Sequence, residues 1–63
     1  MNWYLHAVED QDGRWSCQRG RTVFDEHADQ ASAVDHLKRI AMELGITASI
    51  FAHPVNEVVG RVA

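Results

Sequence analysis

A stripe of apolar residues in the middle of the sequence, Ala33, Val34, Leu37, Ile40, Ala41 and Leu44, recurs at spacings of three and four. That period belongs to one face of an α-helix, and a helix with one apolar face must lay it against something. Ser32, Asp35, His36, Arg39 and Glu43 fall on the opposite side. Asp29 stands where a side chain can accept the unpaired N–H groups of a first turn, and Gly45 stands where a left-handed residue can end the helix. Asp35 and Arg39 are four apart with the acid nearer the N-terminus, the favourable order. The chain on either side must supply the surface that the stripe covers.

Both flanks read as strands. Trp3 to Val8 is aromatic and aliphatic, and the polar stretch Glu9 to Gly13 suits a hairpin loop. From Arg14 to Arg19 the pattern alternates, with Trp15 and Cys17 on one face and Arg14, Ser16 and Gln18 on the other. Gly20 permits a turn, and Thr22 to Phe24 can form a short third strand. After the helix, Ile46, Ala48, Ile50 and Ala52 share one face, and Thr47, Ser49, Phe51 and His53 the other. Pro54 interrupts, Asn56 and Glu57 suit a turn, and Val58 to Val62 reads as a last strand, with Gly60 as a candidate bulge. The expected architecture is α+β: an antiparallel-rich sheet in the order strand, strand, short strand, helix, strand, strand, with the helix on one face.

The chain has 63 residues, 46% of them hydrophobic. Folding at this length buries about 60% of the surface, enough for one core. We therefore expect a single domain over residues 1–63, with no room for an enclosed catalytic site and no enzymatic role. Cys17 is the only cysteine, so an intrachain disulfide is excluded. With no disulfide framework, no secretory pattern and no apolar run near the ~20 residues of a membrane span, the expected setting is the cytoplasm, away from membranes.

The sequence also resembles a family of short bacterial proteins, the domain-of-unknown-function family numbered twenty-one eighty-eight. The likeness rests on Gly13-Arg14-Trp15 closing the first hairpin, on Asp29-Gln30-Ala31-Ser32-Ala33 opening the helix, and on His53 followed by Gly60-Arg61-Val62. It spans most of the chain and implies the same order of strands and helix. The matching positions mark turns, caps and core, so the resemblance implies no catalytic residues.

Chemistry-bearing residues are few. Asp10-x-Asp12-Gly13 starts like a calcium loop, but the glycine and glutamate such a loop needs at its sixth and twelfth positions are Trp15 and Arg21 here. Cys17 shares a face with Trp15, and a buried thiol is inert. His6, His27, His36 and His53 lack the local spacing of metal ligands on one strand or one helix, so neither a metal nor a cofactor is expected.

Two binding surfaces are candidates. The open sheet face would carry Tyr4, His6 and Val8 with Phe51 and His53, and His6 and His53 would be neighbours if their strands are adjacent. This face, or a free strand edge, is the expected interface of a homodimer, and an unidentified protein partner is the other candidate occupant. The alternative is a nucleic-acid contact through Arg14, Arg19 and Arg21 with Trp15 among them. Six Lys and Arg against nine Asp and Glu, a net charge of −3, argue against general phosphate binding. The reading that results is a small non-enzymatic interaction module that self-associates.

Overall fold

The computed structural model describes residues 2–63. The chain runs β1 (Asn2–Glu9), β2 (Trp15–Arg19), β3 (Thr22–His27), α1 (Gln30–Leu44), β4 (Thr47–His53) and β5 (Gly60–Arg61). The strands form one sheet in the order β3-β2-β1-β4-β5, with α1 packed on one face. This is the expected α+β fold. Three of its strand pairs are antiparallel, and the central one, β1 with β4, is parallel. A parallel pair cannot be closed by a tight turn, and here β2, β3 and α1 together make the crossover.

Local chemistry explains the joints. In the β1–β2 hairpin, the Asp10 carboxylate accepts the N–H groups of Asp12 (2.9 Å) and Arg14 (3.0 Å), and Gly13 takes φ 82°. The Asp29 carboxylate accepts the Ser32 N–H at 2.7 Å, which caps α1 and holds that carboxyl below its ordinary range. At the other end Gly45 adopts φ 64°. Its N–H donates to the Met42 carbonyl and the Ile46 N–H to that of Ala41, the paired bonds of a Schellman motif.

The core follows from alternation. Leu5 and Ala7 of β1, Trp15 and Cys17 of β2, and Ile50 and Ala52 of β4 face Ala33 and Leu37 of α1. Trp3, Val34 and Ala48 pack around them. In the β1–β4 register Leu5 pairs with Ile50 and Ala7 with Ala52, so matching residues occupy one face.

Three boundaries differ from the sequence reading. The helical stripe ends early: Leu44, the last residue of α1, is 61% exposed. The final strand is only Gly60–Arg61, and Val58 stands in solvent. The third strand is longer than expected, reaching His27, and it contains a bulge. Cys17 pairs with Asp25 but Gln18 pairs with Val23, which leaves Phe24 without an opposite number.

With so few large side chains buried, each carries a large share of a stability that is small at this size. Leu37 is fully buried. Leu37→Ala should cost about 2–5 kcal/mol, which is enough to leave most of the protein unfolded in water. Urea titration followed by circular dichroism will show a lost or strongly lowered midpoint.

Candidate functional site

The face of the sheet that α1 does not cover presents rows of side chains running across the strands. Pairing places Val23, Gln18, His6, Phe51 and Arg61 in one row, one residue from each strand. Glu26, Ser16, Val8 and His53 form the next row. Tyr4 lies beside Ser49 in a third. Tyr4, His6, Val8, Phe51 and His53 are thus brought together, as expected if their strands are adjacent. The Tyr4 and Phe51 rings are 6.2 Å apart and the His6 ring stacks on Phe51 at 5.7 Å.

His6 Nδ1 lies 2.8 Å from His53 Nε2. At that distance one imidazole donates and the other accepts, which needs at least one unprotonated ring nitrogen. Partial burial lowers the His6 pKa below its usual 6.5, and the neighbouring His53 lowers it further. The sign follows from linkage. Below pH 6.5 the unfolded chain binds a proton at residue 6 that the folded chain resists. Stability is therefore full above pH 6.5 and falls as the pH drops from there through the lowered His6 pKa. Unfolding free energies from urea titration between pH ~7.5 and ~5.5 should fall on the acid side. His6→Gln should flatten that step.

A second cluster lies on the opposite face. Asp25 and His27 of β3 project toward α1, since they pair with Cys17 and Trp15 on the helix side. The bulge at Phe24 puts them there; unbroken alternation from Thr22 would have sent both to the open face. His36 reaches them from α1. Asp25 Oδ2 is 3.2 Å from His27 Nε2 and 3.2 Å from His36 Nε2. The other carboxylate oxygen accepts the Glu26 N–H at 2.9 Å. That bond, followed by the two imidazoles, lowers the Asp25 pKa against the opposing effect of burial. His36 is half-buried rather than on a solvent face, and its ring stands 5.1 Å from that of His27 and 6.5 Å from Phe24.

The sequence reading looked for local histidine pairs and missed this group. The one local signal was Asp25-x-His27, two ligand types at the period of a strand face. The third member comes from another element nine residues on.

The remaining candidates lie elsewhere in the fold. Cys17 is fully buried and donates to the Ala33 carbonyl at 3.5 Å. Burial, with the Asp25 charge adding to it, pushes its thiol pKa up to about 11. A thiol reagent at neutral pH should modify it only as fast as the protein opens. Matching rates for labelling and for unfolding will check this.

Arg14, Arg19 and Arg21 do not share a surface. Arg14 lies at the start of β2 and Arg19 and Arg21 lie at its far end, with the Arg19 guanidinium 3.7 Å from the centre of the Trp3 ring. Trp15, the aromatic among them, is core and cannot stack a base. A groove between α1 and the C-terminal segment is lined by Gln30, Ala31, Val34, Asp35, Lys38 and Val62. Its acid, Asp35, is already bonded to Arg39 at 2.7 Å. Among the described residues no helix is long and apolar enough to cross a membrane.

Comparison with known proteins finds no matching family model, curated protein or solved structure. Function must be read from these two faces.

Proposed function

We propose that the protein is a non-enzymatic interaction module whose open sheet face receives a second copy of itself. The observation that carries this reading is the composition of that face: an aromatic and histidine centre, Tyr4, His6, Phe51 and His53, between edges of opposite charge. Glu26 lies on the β3 edge and Arg61 on the β5 edge. A two-fold axis parallel to the strands places β5 of one copy over β3 of the other. Arg61 then approaches the partner's Glu26 at both ends, and the β1 side chains meet at the axis. Such an isologous arrangement is the commonest in homodimers.

Surface area sets how strong the association can be. The folded chain exposes 4329 Å², against roughly 4,100 Å² for a monomer of this size. Tyr4 and Val23, on the open face, are among the large apolar side chains left exposed. A five-stranded face of strands ~4.8 Å apart offers roughly 400 Å² per copy. The total of ~800 Å² is below the ~1,200–2,000 Å² of stable complexes. The dimer is therefore weak and concentration-dependent.

Sedimentation equilibrium at pH 7.5 should show a monomer–dimer equilibrium in the micromolar range. Tyr4→Glu, at an exposed position, should shift it to monomer while leaving the circular dichroism unchanged. Arg61→Glu and Glu26→Arg should each weaken it, and together they should restore it. A monomer at high micromolar concentration overturns the reading. Association that ignores Tyr4→Glu overturns the choice of face.

A further inference from the structure

We propose that Asp25, His27 and His36 form a binding site for a first-row divalent transition metal of the zinc class. The site lies on the helix side of the sheet and is independent of the self-association surface.

The argument begins with distances. Zinc bound by histidine nitrogen and carboxylate oxygen sits ~2.0–2.2 Å from each. Two ligands at the tetrahedral angle are then ~3.3 Å from one another. Asp25 Oδ2 is 3.2 Å from each of the two Nε2 atoms. All three ligand atoms lie within 4.8 Å of one another. Charge-assisted hydrogen bonds between these groups would be shorter, ~2.7–2.9 Å. The spacing fits neighbours on one coordination sphere better than it fits two imidazoles each bonded to a carboxylate.

The second observation is the state of His27 Nε2. Among the described residues it is a buried side-chain nitrogen with no hydrogen-bond partner. It is 3.2 Å from the Asp25 carboxylate, but that contact lacks the geometry of a hydrogen bond. A buried polar atom left unpaired is costly, and a cation at the meeting point of the three groups would satisfy it.

The carboxylate is also held in place. Its other oxygen is fixed by the Glu26 N–H, the kind of outer contact that orients a ligand toward a metal. Two of the ligands sit on a strand and one on a helix, so the scaffold fixes their separation.

The donor set selects the class of ion. Two imidazoles and one carboxylate suit zinc, copper, nickel or iron(II), whereas magnesium and calcium want oxygen ligands throughout. Cys17 is close in the fold, but its thiol is engaged with the Ala33 carbonyl and strongly protonated. It is not part of the set. Three protein ligands leave a fourth tetrahedral position for water.

The test uses zinc itself as the probe, titrated into the intact chain against a chromophoric chelator. We expect one ion per chain with micromolar affinity, and a melting temperature that rises with zinc concentration. Asp25→Asn and His36→Ala should each weaken binding by more than the roughly 10–100-fold that follows loss of an outer contact. His36 is on a half-exposed helix position, so His36→Ala keeps the fold, and its unchanged circular dichroism is the control. In long-range nitrogen–proton spectra, zinc should shift Nε2 of His27 and His36 and leave the His6 and His53 resonances in place. Cobalt should give tetrahedral visible bands without a thiolate charge-transfer band. Absence of saturable binding in the micromolar range overturns the proposal. So does binding abolished by His53→Ala but retained by His36→Ala, which would move the ion to the other histidine pair. Since Tyr4→Glu should leave zinc affinity unchanged, failure here and failure of self-association are told apart.

Discussion

The fold depends on burying one short helical stripe against the centre of the sheet. Ala33 and Leu37 cover Leu5, Ala7, Trp15, Cys17, Ile50 and Ala52, which together with them make up the buried core. That contact spans β1 and β4, which come from opposite ends of the chain and pair side by side in a parallel ladder. The β1–β4 register in turn sets what the far face displays. Because Leu5 must sit beside Ile50, His6 must sit beside Phe51, and His53 falls within reach of His6. The aromatic and histidine centre of the open face is thus a consequence of core packing on the other side.

Much of this was legible in the residues. The helix, its Asp29 cap and its Gly45 terminus follow from local chemistry, and local chemistry does not depend on distant partners. The division of β2 and β4 into buried and open faces follows from alternation, so Cys17 and Ile50 were recognisable as core. Alternation names a face but not a neighbour. Nothing in the side chains of Trp3 to Val8 or Ile46 to His53 distinguishes parallel from antiparallel pairing, and the parallel β1–β4 pair could not be read directly. The short last strand failed for a related reason. Val58 and Val59 have strand-forming side chains, but the β4–β5 register sets them opposite Pro54 and His53, where β4 ends, and tertiary context overrides propensity.

The cluster of Asp25, His27 and His36 was hidden by two effects. Strand and helix cross here, so the ligating groups are close in space and unremarkable in spacing. The bulge then interrupts the period on which face assignment rests. Counting by twos from Thr22 puts Asp25 and His27 on the wrong side, and only pairing with β2 corrects it. The two histidine pairs consequently lie on opposite faces of the sheet, His6 with His53 in one environment and His27 with His36 in another. What protonates or binds one pair need not disturb the other.

The unpaired Phe24 therefore acts as a phase-setter for its edge of the sheet. Drawing Phe24 into regular pairing would exchange everything downstream of it, turning Glu26 under the helix and sending Asp25 and His27 to the far side. Deleting Phe24 outright would instead leave both faces as they are, because Val23 and Asp25 already lie opposite the consecutive residues Gln18 and Cys17. Chains built on this plan should therefore carry the extra residue and its bulge together, or lack both.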